Sequence, residues 1–274
     1  MDWFPSLSAT PLAFVIMAVI AAISIAGLAI GAHWVRRTNV HDQLDNGAIA
    51  GLIAAIVGIF AIAAGLTAVA GWGNTADAAA RVGREAAAIT VLYHALGGYP
   101  EPLQTKAKSQ LTQYVHNVID REFPILAQGK VIGGGVDVLD SLQRMLFGFE
   151  PQSEGQKAAN AEALSLYNRL IEQRRARIQS AEESALPGAL WAVVILLGAI
   201  AIGGCFLLRI DDFRMHAVVT MFVAAPIALV LFFIAVTDRP FRGGITVSAA
   251  PYQAVLDHVI SIDMARRAQE RPKP

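Results

Sequence analysis

Six histidines are the side chains in this sequence best suited to metal binding or proton transfer. They are His33, His41, His94, His116, His216 and His258. A zinc site on a single helix needs two histidines four residues apart, as in His-Glu-x-x-His, and no pair of the six has that spacing. The sequence therefore predicts no histidine-based metal site, and no cofactor is expected.

The densest set of possible metal ligands is His41, Asp42 and Asp45. Imidazole and carboxylate groups could bind a cation here. A short polar loop between two membrane helices is a second interpretation of the same residues, and it requires no ligand. His33 and His216 lie near the ends of apolar runs, where a position at the membrane surface explains them.

Motifs for covalent and phosphate chemistry are missing. Residues 128–135 read Gln-Gly-Lys-Val-Ile-Gly-Gly-Gly, which lacks the Gly-x-x-x-x-Gly-Lys-Ser/Thr order of a phosphate-binding loop. The sequence contains no Gly-x-Ser-x-Gly elbow, and its apolar runs contain no paired carboxylates. The single cysteine, Cys205, excludes an internal disulfide and a cysteine metal site. We therefore expect no enzymatic activity.

Charge and composition point instead to a membrane. The 22 Lys and Arg residues balance the 22 Asp and Glu residues. Because there is no net charge and no basic stripe with interleaved aromatic rings, nucleic acid is not an expected partner. Hydrophobic residues make up 55% of the chain and charged residues 16%. A chain this apolar must concentrate its charges in one part.

Four stretches contain no Asp, Glu, Lys or Arg, and each is long enough to cross a bilayer. They are residues 3–35, 46–76, 184–208 and 215–237. About 20 apolar helical residues suffice to span the hydrocarbon core. We place the spans at residues 12–33, 47–72, 187–208 and 216–237. The first apolar run is too long for a signal peptide, so we expect it to be retained as a span.

Residues 77–183 hold 25 of the 44 charged residues, and their apolar positions recur at helical spacing. The predicted fold is therefore an all-α membrane protein with four transmembrane helices and a helical soluble domain inserted between the second and third. Its predicted parts are a first membrane hairpin (1–76), the soluble domain (77–183), a second hairpin (184–237) and a C-terminal soluble segment (238–274).

Arginines near the spans bear on the orientation. The two short loops carry Arg36, Arg37, Arg209 and Arg214, which by the positive-inside rule favour cytoplasmic loops. A larger number of arginines flanks the spans on the opposite side. We follow the larger number and predict that the soluble domain and both termini are cytoplasmic.

The second predicted span carries a series of glycines. Gly47 and Gly51 form a small-xxx-small pair, and Gly58 and Gly65 continue from Gly51 at intervals of seven. Small residues on one face allow a neighbouring helix to approach closely. The glycines predict either packing within one subunit or a symmetric oligomer in which copies of this helix surround an axis.

The same span also has a bulkier apolar face. Its candidate pore-lining residues are Ile56, Ile59 and Phe60. A ring of such side chains around an axis could form a constriction that excludes water until it widens. Under this hypothesis the glycines mediate helix packing, and the bulky side chains line the pore.

Residues 84–95, Arg-Glu-Ala-Ala-Ala-Ile-Thr-Val-Leu-Tyr-His-Ala, follow the second span, and residues 100–102, Tyr114 and residues 122–124 come after them. The fourth span is followed by Asp238-Arg239-Pro240-Phe241 with Gly243, then by Val247-Ser248, Pro251-Tyr252 and Val255-Leu256. In these segments the chain resembles the bacterial bestrophin-like family of membrane proteins, and the segments after the fourth span resemble that family's closing motif. The resemblance extends from about His41 to Leu256. In the first loop the chain departs from the family, with His41-Asp42-Gln43 in place of His-Asn and an acidic residue.

This resemblance implies an architecture like that of bestrophin anion channels. It implies four spans, a helical cytosolic region and a pentamer around a pore lined by the second span, in the inner (plasma) membrane. Chloride or another small ion would then be the transported partner. The alternative is a noncatalytic membrane sensor or scaffold that conducts no ions.

The closing motif suggests a structural role for Asp238, Arg239, Pro240 and Phe241. These residues follow the last span directly. Our hypothesis is that they hold the C-terminal segment against the soluble helices, with Phe241 and Tyr252 as apolar anchors.

Overall fold

A computed structural model describes residues 9–38, 45–130, 136–182, 186–242, 246–261, 263 and 265. In these ranges the chain is helical and forms no strand, which confirms the prediction of an all-helical protein. The helices are α1 (Ala9–Thr38), α2 (Asn46–Ala95), α3 (Leu103–Asn117), α4 (Phe123–Ala127), α5 (Val136–Phe147), α6 (Glu154–Glu182), α7 (Gly188–Cys205), α8 (Phe213–Thr237) and α9 (Ala250–Val255).

Four helices, α1, α2, α7 and α8, are long and apolar enough to cross a membrane. Each predicted span corresponds to one of them. Helix α2 continues well past the predicted end at residue 72 and ends at Ala95. Helix α7 ends at Cys205 rather than at residue 208, because the backbone turns there: the Phe206 N–H donates to the Gly203 carbonyl at 3.1 Å.

The chain divides into two compact units. The first, here called the membrane unit, contains residues 1–75, 184–239 and 243–245. The second, called the bundle unit, contains residues 76–183, 240–242 and 246–274. Helices α1, α7 and α8 belong to the membrane unit, and helices α3 to α6 and α9 belong to the bundle unit.

Small residues let the helices of the membrane unit approach closely. A Cβ atom added at Gly27 would lie 2.6 Å from the Phe206 ring, and one added at Gly204 would lie 2.9 Å from Ile53. Between membrane helices, van der Waals contact and close backbone approach replace much of the hydrophobic effect. Packing within the chain therefore depends on glycines of α1 and α7.

Polar side chains fix one end of the membrane unit. The Asn46 amide donates to the Arg209 carbonyl at 3.0 Å and accepts from the Arg209 N–H at 2.8 Å. Asp212 caps α8 by accepting from the N–H groups of Arg214 and Met215. These bonds satisfy backbone groups that the helix ends would otherwise leave unpaired.

The bundle unit has one continuous core, to which its helices contribute one apolar stripe each. All five tyrosines of the sequence lie in this core, and none has more than 4% of its surface exposed: Tyr93, Tyr99, Tyr114, Tyr167 and Tyr252. Helix α5 packs against α3 and α6. Burial of these large rings supplies much of the apolar area that stabilises the unit.

A π-helical turn (Val118–Glu122) separates α3 from α4 and follows from Pro124. Because proline has no backbone N–H, it cannot continue the α-helical hydrogen-bond ladder. The Phe123 N–H instead reaches back five residues to the Val118 carbonyl. The wider turn places Glu122 on the buried side, where its side chain is 5% exposed.

Candidate functional site

Four charged side chains meet in the core of the bundle unit: Glu85, Glu122, Arg174 and Arg177, here called the buried charge cluster. None of their side chains is more than 9% exposed. Arg177 Nε lies 2.6 Å from Glu85 Oε2, and Arg177 Nη2 lies 2.5 Å from Glu122 Oε2. Arg174 Nη2 lies 3.1 Å from Glu122 Oε1. The charges of the four side chains sum to zero, which such burial requires.

Aromatic side chains enclose this cluster. The Tyr114 hydroxyl donates to Glu85 Oε1 at 2.5 Å. The ring centroids of Phe123 and Tyr252 lie 5.9 and 6.0 Å from Arg177 Cζ. A guanidinium beside two aromatic rings gains cation–π attraction when it is shielded from solvent, as the fully buried Arg177 side chain is.

The protonation states of the cluster are held by its surroundings. Burial, and secondarily the Glu85 charge, raises the pKa of Tyr114 and of Tyr252 well above the usual value. Burial alone would lower the pKa of Arg177, but the neighbouring charges, Glu85 foremost, raise it well above its ordinary range. Arg177 therefore stays charged and the two tyrosines stay neutral at physiological pH, and Arg177 and Tyr114 donate to the carboxylates of the cluster.

Sequence reasoning missed this cluster because it assigned the charged residues of the segment to water. A signal was present. Ala163, Tyr167, Leu170, Arg174 and Arg177 are the buried residues of α6, and they follow one another at steps of three and four. Arginines that continue an apolar stripe indicate buried charges, and such charges need acidic partners.

The structure places the predicted site residues of α2 in different environments. Gly51, Gly58 and Gly65 are exposed, and a Cβ added at any of them would meet no heavy atom of the described residues within 4 Å. A Cβ at Gly47 would meet the Asp45 carboxylate at 3.4 Å. Within one chain, these glycines therefore face outward.

Ile56, Ile59 and Phe60 differ in how far they are exposed within one chain. Ile59 is 57% exposed, Ile56 is partly buried, and Phe60 is only 4% exposed. The Phe60 ring packs towards Gly198 of α7, where an added Cβ would lie 3.5 Å from it. Phe60 follows Gly58 by two residues, or 200° around a helix, so it points away from the glycine stripe and into its own chain.

The closing motif is built into both units. In the membrane unit, the Asp238 carboxylate accepts from the Leu186 N–H at 2.9 Å. In the bundle unit, the Pro240 carbonyl accepts from the Val247 N–H at 2.8 Å, and Phe241 is 4% exposed. Arg239 is partly exposed.

No group of three or more His, Cys, Asp or Glu side chains in the described ranges has the geometry to hold a metal ion. Asp45 instead caps α2, accepting from the Gly47 N–H at 3.0 Å. His41 and Asp42 lie outside the described residues. His216 is buried, with Nε2 2.8 Å from the Cys205 carbonyl oxygen.

Raising the pH from about 10 to about 12 should destabilise the bundle unit by at least about 1 kcal/mol. Burial raises the pKa of Tyr99 and of Tyr167 to about 12. The folded state holds these two protons more tightly than the unfolded chain, in which the tyrosine pKa is about 10. The resulting contribution to stability is complete below pH ~10 and is lost as the pH rises towards the pKa of the folded state. The loss is measured as the free energy of unfolding at a series of pH values, with tyrosinate absorbance followed in parallel.

Removing the hydroxyls of Tyr99 and Tyr167 provides the control for this pH dependence. Tyr99 donates to Asn160 Oδ1 at 2.6 Å, and Tyr167 donates to the Leu139 carbonyl at 3.1 Å. The double variant Tyr99→Phe, Tyr167→Phe should be less stable at neutral pH and lose less on alkaline titration. An equal alkaline loss in the variant would contradict the assignment.

Comparison with known proteins identifies the family of this chain. Residues 13–252 match the family described as the bestrophin-like domain. The fold resembles that of a bacterial bestrophin homolog from Klebsiella pneumoniae carrying one substitution, with a TM-score of 0.64 and 12% identity over 92% of this chain and 98% of that chain. A second solved structure, a membrane protein with one substitution, gives a TM-score of 0.59 and 15% identity over 89% and 95%. No curated protein matches the sequence.

The molecule is thus a helical membrane protein with four long apolar helices. It belongs to the bestrophin-like family, as its own motifs indicated.

Proposed function

We propose that the protein is a homo-oligomeric ion channel in which copies of α2 surround a shared pore. The observation that carries this proposal is the exposed glycine face of α2. By analogy with bestrophin channels, the proposed oligomer is a pentamer and the proposed ion is chloride or another small anion.

Two series of residues on α2, each with a period of seven, distinguish its two sides. Ile53, Phe60 and Thr67 are 8%, 4% and 3% exposed and face the other helices of the chain. The glycines at 51, 58 and 65 lie on the opposite side, with nothing described within 4 Å of an added Cβ. An apolar helix face without a partner in its own chain is available to an oligomer axis.

The pore-lining set follows from this exposure. Ile59 remains a candidate, and Ile62, 68% exposed and four residues after Gly58, joins it. Phe60 and Ile56 support the pore wall from behind, since they pack within the chain. No charged residue occurs between positions 46 and 76, so such a pore would be apolar, and its width would control hydration of the path.

The remaining architecture belongs to the same proposal. Residues 1–76 and 184–237 would form the two membrane hairpins, with residues 77–183 as a soluble domain inserted between the second and third spans and residues 238–274 as a C-terminal soluble segment. We place the protein in the inner (plasma) membrane, with the soluble domain and both termini in the cytoplasm.

The second candidate function is a membrane sensor or scaffold without conduction. The same exposed α2 face favours it if the copies pack tightly against one another, as small residues permit. Flux distinguishes the two functions, since a scaffold passes no ion.

Chloride flux into liposomes containing the purified protein tests the channel. We expect flux above that of empty liposomes. In a Cys205→Ala background, Gly58→Cys should be blocked several-fold by a water-soluble thiol reagent, because a pore-facing thiol meets water. The matched control is Phe222→Cys on α8, where the native side chain is 77% exposed and would face lipid in this arrangement.

Absence of flux for chloride and for monovalent cations, with folded oligomers present, would favour the scaffold. Equal block at Gly58→Cys and Phe222→Cys would contradict the proposed orientation of α2.

A further inference from the structure

The residues after the fourth span return to the core of the bundle unit. We call residues 240–242, 246–261 and 263 the C-terminal strap. Its apolar anchors, none more than 5% exposed, are Phe241, Tyr252, Val255 and Ile260. The strap is therefore part of the core rather than a loose extension.

The far end of the strap is held by charge. Asp263 Oδ2 lies 2.9 Å from Lys108 Nζ and accepts from the Tyr93 hydroxyl at 3.0 Å. Lys108 Nζ also lies 4.5 Å from the centroid of the Tyr93 ring. The Lys108 side chain is 9% exposed, whereas Asp263 is 26% exposed. One partner of this ion pair is thus buried, and the other is in contact with solvent.

The near end is held differently. The Arg242 guanidinium donates to the carbonyl of Gly129, which ends its turn with a φ of 77°. Phe241 packs on Phe123, with ring centroids 6.0 Å apart. These contacts use a backbone carbonyl and an apolar ring, so salt weakens them less than it weakens an ion pair in contact with solvent.

The middle of the strap lies against the buried charge cluster. Tyr252 is fully buried, its ring centroid lies 6.0 Å from Arg177 Cζ, and it lies 5.7 Å from the Phe123 ring. Movement of Tyr252 would admit water to Arg177 and Glu85, whose side chains are both 0% exposed. The strap therefore keeps the cluster dry.

We propose that the C-terminal strap is a releasable cover of the buried charge cluster, closed by the Lys108–Asp263 ion pair and opened by rising ionic strength. Salt screens a charge pair that reaches solvent far more than one that does not. Without its carboxylate partner, the Lys108 ammonium is costly to keep buried, and movement of the strap that carries Asp263 exposes it further. The device acts whether or not the protein conducts ions.

Hydrogen exchange of the full-length protein in detergent tests this, followed by mass spectrometry of a peptide covering residues 250–261. In the wild type, exchange of this peptide should be faster at about 0.5 M salt than at about 0.05 M. Asp263→Asn should raise its exchange by about ten-fold at low salt. Exchange of α6 around Tyr167 should not change, because the rest of the core stays closed.

Two further variants identify the ion pair as the cause. Lys108→Met combined with Asp263→Asn removes both charges, so exchange should return towards the wild-type value and lose its salt response. The matched control is Glu154→Gln, which removes the exposed Lys157–Glu154 pair and should leave the strap unchanged.

The proposal would be overturned if the strap of Asp263→Asn exchanged at the wild-type rate, or if exchange rose equally in the strap and in α6 around Tyr167. A salt response that persists in the double variant would also overturn it. The wild-type salt series needs no variant, so it decides the question even if Asp263→Asn folds poorly. A wild-type strap whose exchange is independent of salt would also overturn it.

Discussion

Replacing Arg177 by Met is expected to destabilise the bundle unit by about 3–5 kcal/mol. Arg177 binds both carboxylates of the buried charge cluster, at 2.6 Å to Glu85 and 2.5 Å to Glu122. Its loss leaves two acidic groups with one guanidinium among side chains that are at most 9% exposed. Arg177→Lys should rescue little, because the one nitrogen of an ammonium cannot occupy the positions of both Nε and Nη2, which contact Glu85 and Glu122. Thermal unfolding in detergent measures both variants.

Arg175 on the same helix provides the matched control. Its side chain is exposed, so Arg175→Met should change stability by no more than about 0.5 kcal/mol. A variant that combines Glu85→Gln with Arg177→Met should recover part of the loss, since Glu122 and Arg174 then remain as a pair and the cluster is again neutral. The cluster would have no energetic role if Arg177→Met unfolded at the same temperature as Arg175→Met.

Phe60→Ala is expected to cost the membrane unit about 3–5 kcal/mol. The sequence alone placed Phe60 among the candidate pore-lining residues, where its truncation would widen a constriction. In the structure Phe60 is 4% exposed and lies in a cluster with Ala64, Val194 and Ile227, so truncation leaves a cavity inside the chain. Unfolding of the membrane unit in detergent measures the loss.

Ile59→Ala is the comparison for Phe60→Ala. Ile59 is 57% exposed, so its truncation should cost no more than about 0.5 kcal/mol. In the proposed channel it should alter chloride flux while stability stays nearly constant. A Phe60→Ala protein of wild-type stability and higher flux would restore Phe60 to the pore surface.

The four membrane helices could be predicted because their signal is local. Each contains a long stretch without a charged residue, and a bilayer tolerates few alternatives to a helix there. Their contacts were less predictable. The period of the glycines in α2 identified one face, but the sequence did not indicate whether that face meets its own chain or another. The side chains on the opposite side of α2 determine which face packs within the chain. Phe60 lies on that side and packs inward, where Gly198 leaves room for its ring.

The buried charge cluster was not predictable from spacing alone, because its members come from helices far apart in the sequence. Glu85 and Arg177 are 92 positions apart. The closing motif was noticed as a family resemblance, but its sequence did not reveal that Asp238 accepts from the Leu186 N–H. Such contacts depend on tertiary packing, which a local pattern does not encode.

The placement of the five tyrosines has a spectroscopic consequence. All of them lie in the bundle unit, whereas the four tryptophans occupy positions 3, 34, 72 and 191, outside the residue ranges of that unit. Each unit therefore has its own chromophore. Tryptophan fluorescence, excited at wavelengths where tyrosine does not absorb, would report on the membrane unit, while near-ultraviolet circular dichroism of tyrosine would report mainly on the bundle unit. A single unlabelled sample could thus show whether the two units unfold together or in sequence.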